Sequence, residues 1–312
     1  MSRSLQLLTG TPVNKPTDAY AYIKLCQPTT YRSYTQFTNI HVEEYDFFGA
    51  PTKFTNIELL KKNLELFSVS RTKEEMHGYN IKPIYPDYTY ELSSGHYKLY
   101  KRIVEEQLLL FDDGSKIDAT SVQKLRHALQ QVVVNYDFFS NDATNRSAAY
   151  DLIDITLEST RCAEIDRSKL IIWTKYKRTS GSVLSYINAK GVKAVAAYGL
   201  ADSEASIKAF MEDSETRVLV AQYQSASAGL NPQHVCSEAL FLELDTVPLY
   251  IRQSCGRLDR VGQTKAPTLR FAVAKGTVQE GLLANLLKND DMVSKIEPTK
   301  TGLRAMLLGN ST

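Results

Sequence analysis

The sequence predicts an α/β protein: a parallel sheet with helices on both faces, preceded by a mainly helical region. Two observations carry that expectation. From Leu170 onward, five short apolar runs alternate with helical segments: Leu170 to Trp173, Ala194 to Tyr198, Val218 to Ala221, Ala239 to Leu242 and Leu269 to Val273. Runs that are apolar on successive residues suit strands buried on both faces, and alternation with helices implies parallel order. Upstream the texture differs, with amphipathic stretches broken by prolines and by the polar loop Ser140 to Asn145. The expected division is 1–16, a helical region at 17–145, and the α/β unit at 146–312.

Composition sets the outer bounds. The 312 residues are 43% hydrophobic and 23% charged, an ordinary globular balance that suffices for two modest units. Formal net charge is +2, so any nucleic-acid contact must come from local patches. Cys26, Cys162, Cys236 and Cys255 show no CxxC or Cys/His ligand spacing, and a reduced, metal-free protein of the cytoplasm is expected. The apolar run Leu5 to Leu8 is too short for a signal peptide, and no run approaches membrane-spanning length.

Taken in order, Ser4 to Leu8 reads as a short strand followed by turn chemistry, Thr9-Gly10-Thr11-Pro12-Val13-Asn14. Thr17 or Asp18 can cap a helix from Ala19 to Leu25, stopped by Pro28. Ile57 to Phe67 repeats apolar residues at helical spacing and continues into Val69 and the basic pair Arg71 and Lys73. Ile81 to Pro86 and Tyr88 to Leu92 read as extended, because of prolines and alternation. Ser93 or Ser94 caps a long helix from about His96 to Phe111, and a second runs from Val122 to Val134. An amphipathic helix at Ala148 to Thr160 leads into the first strand.

In an open α/β sheet, ligands bind at loops beyond the carboxyl ends of the strands. Those loops here are Thr174-Lys175-Tyr176, the small-residue stretch Gln222 to Asn231, and Asp245 to Pro248. Small residues let backbone approach a phosphate, Ser225 and Ser227 add hydroxyl donors, and a helix starting after the loop would favour an anion. Gly276 to Glu280 reads as structural, with Thr277 as N-cap and Glu280 completing a capping box.

The densest signal is Gln253-Ser254-Cys255-Gly256-Arg257-Leu258-Asp259-Arg260-Val261-Gly262-Gln263. Arginines three apart share a helical face, and their planar forks suit phosphate oxygens. Gly262 is the expected helix stop. The pattern Q-x-x-G-R-x-x-R-x-G-Q resembles motif VI of superfamily-two helicases, in the form used by Swi/Snf-like DNA translocases. With it in place, Leu8 to Asn14 resembles motif III of that family, Thr174 to Tyr176 lies where motif IV falls, and Gln222 to Asn231 resembles motif V. The family usually has leucine where Pro232 stands. Residues 57–134 resemble the Swi/Snf helical linker.

The resemblance implies a second RecA-like lobe at 146–312, with ATP and Mg2+ bound between it and a first lobe. Arg257 and Arg260 then match the arginine fingers, while Gln253, Gly229, Asn231 and Gly256 fall on the nucleotide side. Lys175, Ser225, Ser227, Arg71 and Lys73 fall on the DNA side, contacting backbone without reading sequence. Thr9, Gly10, Thr11, Pro12 and Asn14 would couple nucleotide state to DNA grip. A complete ATP site also needs a GxGKT-type phosphate loop and an acidic DExx box for magnesium, and these 312 residues contain neither. A partner polypeptide carrying the first lobe is therefore expected, with no ATP hydrolysis by this chain alone. The alternative is a non-catalytic DNA- or protein-binding module that kept the fold; an unrelated α/β enzyme would have to produce the ordered motifs by coincidence.

Overall fold

The computed structural model describes residues 6–8, 13, 15–46, 49–71, 73–112, 119–140, 142, 144–199, 203–225 and 230–296, with side chains at 107–112, 119–122 and 289–296 excepted. Thr9, Gly10, Thr11, Pro12 and Asn14 lie outside the described residues, as do Ser227 and Gly229. Of the strand expected over Ser4 to Leu8, residues 6–8 are described and form none; Leu8 is exposed. The described residues form two compact units, one from those up to 80 with 247–249 and 285–296, the other from those within 81–246 and 250–284.

The first unit contains helices α1 (Ala19–Cys26), α2 (Tyr34–His41), α3 (Ile57–Glu65) and α4 (Lys73–His77) and an antiparallel ribbon of β1 (Val42–Tyr45) and β2 (Pro51–Phe54). Ser33 caps α2 by accepting from the Gln36 N–H at 3.1 Å. The core is small and aromatic, gathering Val13, Ala19, Ile23, Tyr31, Phe37 and Leu60. Inside it the Tyr31 hydroxyl bonds His41 Nε2 at 2.6 Å and accepts from Asn63 Nδ2 at 2.7 Å, so this hydroxyl is satisfied where water is excluded. The helical pattern from Ile57 stops at Glu65, and Val69 beyond it is exposed.

The second unit is built on six parallel strands in the order β3 (Asp87–Tyr90), β8 (Thr268–Ala274), β7 (Cys236–Phe241), β4 (Lys169–Thr174), β6 (Val218–Gln222) and β5 (Ala194–Ala197). The five expected runs all became strands. The sixth, β3, comes from the proline-marked segment ahead of the long helices and pairs with β8, Asp87 opposite Phe271. Helices α5 (Ser94–Asp112), α6 (Ala119–Val134), α7 (Tyr136–Ser140), α8 (Ala149–Thr160), α9 (Lys177–Ala189), α10 (Ser203–Glu212), α11 (Pro248–Leu258) and α12 (Val278–Ile296) complete the chain. This is the α/β architecture the sequence predicts, a RecA-like lobe with helices around a parallel sheet.

Strand side chains alternate between faces, and both faces are buried. Leu170, Ile172, Val218, Val220, Leu240 and Ala272 join one cluster with Tyr100, Val132, Val133 and Ile153 from α5, α6 and α8. The intervening residues form an aromatic stack on the other face: Trp173 lies parallel to Tyr223 and Phe241, and Phe241 stacks on Phe271 at 4.3 Å between centroids. At the start of α12 the cap works as expected, with a variation. Thr277 Oγ1 accepts from the Gln279 N–H, while Glu280 reaches back one residue further to the Gly276 N–H. Among the described residues no helix is long and apolar enough to cross a membrane, and all four cysteines are free thiols.

Candidate functional site

The carboxyl ends of β4 and β7 are tied together by one carboxylate. Glu243, just past β7 and 1% exposed, accepts the Lys175 N–H at 2.8 Å, the Tyr176 N–H at 3.1 Å and the Thr179 hydroxyl at 2.7 Å. Those donors belong to the β4–α9 turn and the first turn of α9, where orphan N–H groups and the helix dipole favour an anion. Burial acts the other way and prevails, pushing the carboxyl up to about 7, with the backbone donors and Thr179 only partly offsetting it.

Lys175 leaves that turn half-buried, its Nζ 3.3 Å from Gln130 Oε1. Burial lowers its ammonium pKa more than Asp245 and Glu243 raise it. Both Lys175 and Glu243 thus shift toward their neutral forms, because desolvation exceeds their mutual attraction. Gln130 of α6 also accepts from the Tyr176 hydroxyl at 2.9 Å and donates to the Leu244 carbonyl at 3.2 Å. Since Tyr176 gives its one proton to Gln130, His127 Nδ1 is the donor in its 2.8 Å bond to Tyr176. Helix α6 therefore buttresses the strand ends.

The two arginines converge on one loop. Arg257 Nη1 donates to the Leu230 carbonyl at 3.3 Å, and Arg260 Nη1 donates to the Asn231 side-chain oxygen. One expectation is corrected here: α11 ends at Leu258, so Arg260 stands beyond the helix rather than on its face. The helix stops early because Gln263 secures its end. Its buried amide donates to the Cys236 and Leu258 carbonyls, and its oxygen accepts from the Thr264 and Lys265 N–H groups. Gly262 sits at φ 96°, and a Cβ there would meet His234 Cε1 at 2.8 Å. The closing glycine and glutamine of the motif thus shape the turn that presents Arg260.

Arg257 is half-buried and Arg260 exposed. Burial first, then the neighbouring Arg260 charge, draws the Arg257 guanidinium below its ordinary range. Beside them Gly256 is exposed, and a Cβ added to it would meet nothing within 4 Å. Gln253 lies half-buried one turn earlier on the same helix. The arrangement brings two like charges close together at an exposed surface.

Ser225 closes a different contact, its hydroxyl oxygen accepting the Gly199 N–H at 3.2 Å. No helix follows the loop at once; Pro232 starts a three-residue 3₁₀ turn instead, so the expected helix N-terminus for an anion is not there. Arg71 and Lys73 belong to the first unit. Arg71 is exposed with Nη1 on the Ser70 carbonyl, and Lys73 lies over the Tyr79 ring. Sequence reasoning missed Glu243, Gln130 and the capping role of Gln263. An acidic residue directly after the apolar run Ala239 to Leu242 was the available signal for the first.

No protein-family model matches the chain. It is 24% identical over 302 residues to an uncharacterized ATP-dependent helicase of Mycoplasma pneumoniae, covering 92% of this chain and 27% of that protein. It is 22% identical to the DNA annealing helicase and endonuclease ZRANB3 of Bos taurus, covering 87% of this chain and 25% of that one. The chain thus spans about a quarter of the length of the curated relatives it matches. Among solved structures, the Sulfolobus solfataricus SWI2/SNF2 ATPase core in complex with dsDNA superposes with TM-score 0.53 at 19% identity, covering 96% of this chain and 64% of that one. The C-terminal domain of the Sulfolobus solfataricus SWI2/SNF2 ATPase gives TM-score 0.52 at 15% identity, over 66% of this chain and 85% of that one.

Proposed function

We propose, from the premise that this chain resembles the C-terminal half of Swi/Snf-like superfamily-two helicases, that it is the C-terminal part of an ATP-dependent DNA translocase. In this reading Arg257 and Arg260 face a nucleotide whose phosphate loop and metal carboxylates lie outside these 312 residues, on a first lobe. The observation that carries the reading is the convergence of both arginines on Leu230 and Asn231 at an open surface beside Gly256. The Arg260 guanidinium, braced by the neutral Asn231 oxygen, keeps its charge for an incoming anion.

ATP, when bound, supplies a phosphoryl group on which negative charge grows during transfer. Arginines placed against that charge accelerate such reactions by roughly 10³–10⁵. Arg260, exposed and braced by Asn231, is set to reach across to it, and Arg257 to hold the loop and share the charge. Gln253, Gly256, Gly229 and Asn231 complete the nucleotide side. Mg2+ would be held by the acidic box of the first lobe.

The DNA side would comprise Lys175, Ser225, Ser227 and, from the other unit, Arg71 and Lys73, gripping phosphates irrespective of sequence. The names of relatives, a DNA annealing helicase and an ATPase core in complex with dsDNA, support DNA as the partner. The motif III residues Thr9, Gly10, Thr11, Pro12 and Asn14 would transmit nucleotide state to that grip.

The test is ATP turnover by this chain alone and after addition of a polypeptide carrying a phosphate loop and a DExx box, with and without duplex DNA. DNA-stimulated turnover only in the mixture is expected. Turnover by the isolated chain at the mixture's rate would refute the division of the site. A second reading, a binding module without catalysis, is favoured by the lack of a phosphate loop within the sequence. It predicts DNA retention with no turnover in any mixture.

A further inference from the structure

Two buried cations line a cavity at the opposite, amino-terminal edge of the sheet. The cavity, about 340 Å³, lies by the starts of β4, β6 and β7. Lys169 is 5% exposed and Arg217 4%; their hydrogen bonds go to neutral oxygens, and Lys169 also lies over the Phe210 ring, 5.3 Å from its centroid. Lys169 Nζ donates to the Phe210 and Asp213 carbonyls, and Arg217 donates to the carbonyls of Cys162, Ser214 and Arg167. An ammonium has three donors and a guanidinium five, so one N–H of Lys169 and two of Arg217 remain among the described contacts.

The charge is only partly answered, by the attraction of Asp213 for Lys169. That acid hydrogen-bonds its carboxylate to Lys193 and Thr216 instead. Burial first, and then Arg217, draws the Lys169 ammonium below its ordinary range. On the rim stand Lys265 and Arg167, the latter 3.6 Å from Glu164, and the lining includes one acid, Glu212. Buried charge without a counter-charge is costly, which makes an anion the natural complement. Inside, Gln233 is 8% exposed and its Oε1 has no hydrogen-bond partner. A buried carbonyl oxygen of that kind needs an incoming donor.

We infer that this cavity binds a small phosphate monoester carrying a hydroxyl group. Its phosphate oxygens accept the spare N–H groups of Lys169 and Arg217, and its hydroxyl donates to Gln233. A dianion answers the cationic excess better than a carboxylate does, and the volume sits at the lower end of small-molecule pockets. The cavity shares His234 and Gln263 with the turn that presents Arg260, but neither Arg257 nor Arg260 lines it, and the inference does not rest on the translocase reading.

The experiment is calorimetric titration of the full chain at low salt with inorganic phosphate, with glycerol 1-phosphate and with uncharged glycerol. Saturable binding of both phosphates is expected, the monoester tighter, with none for glycerol. The exposed rim pair Arg167→Glu with Lys265→Glu should weaken both phosphates about tenfold. Gln233→Leu should erase the advantage of the monoester alone, and Arg257→Ala should change neither affinity. Absence of saturable binding would overturn the inference, because Lys169 and Arg217 would then only cap nearby carbonyls. So would binding that ignores the rim pair, or that vanishes with Arg257→Ala and so belongs to the Arg257 and Arg260 surface.

Discussion

Replacing Glu243 with glutamine should turn a pH-sensitive fold into one with a flatter stability profile. The side chain is isosteric: its oxygen can keep the Lys175 and Tyr176 N–H groups, and its amide can donate to Thr179, whose hydroxyl then accepts. What changes is the charge. The carboxyl is held at about 7 in the fold against an ordinary 4.5, so between those values the native state keeps a proton that the unfolded chain has released. Stability from this group is therefore fully present below pH 4.5 and lost as pH rises through 7. The gap, at about 1.4 kcal/mol per pH unit, is worth about 3 kcal/mol. Urea denaturation of the parent and Glu243→Gln at a series of pH values from 4.5 to 8 reads it directly. The parent should lose about 3 kcal/mol relative to the variant over that range. A difference that stays constant, or that grows in the parent's favour as pH rises, would refute the claim that burial outweighs the capping donors.

Other substitutions test other parts. Gly262→Ala places a Cβ against His234 at a positive φ, and should cost about 1–3 kcal/mol in urea denaturation. Gly256→Ala, in open helical space, should instead gain about 1 kcal/mol by the same assay. Thr277→Ala removes the acceptor for the Gln279 N–H, and should lower the denaturation free energy by about 1 kcal/mol. Lys175→Met should weaken duplex DNA binding and reduce the slope of log affinity against log salt by about one, read by fluorescence anisotropy; an unchanged slope would remove Lys175 from the DNA side.

Much of this architecture was legible because strand burial leaves a local trace. Leu170 to Trp173 and Val218 to Ala221 are apolar on consecutive residues, and both became central strands. The start of α5 at Ser94 was equally local, with Ser93 ahead of the periodic run as its cap, accepting the His96 N–H. β3 reads as extended from its alternation, but nothing within Asp87 to Tyr90 says that it will extend a sheet whose other strands begin at Lys169. Glu243 was invisible for the same reason: its meaning lies in N–H groups 67 and 68 residues earlier in the chain. The end of α11 was misread because the spacing of Arg257 and Arg260 fits a helix, whereas the tertiary bond from Gln263 to Cys236 ends it at Leu258. Their convergence on Leu230 and Asn231 needed coordinates, although the motif had marked all four residues' neighbourhoods.

The most direct test of the account's core is Arg257→Ala in the two-part mixture, with DNA affinity measured alongside turnover. If the guanidinium acts on a nucleotide held elsewhere, turnover should fall by roughly 10³ or more while DNA affinity stays within about twofold. Turnover that survives the substitution intact would contradict it.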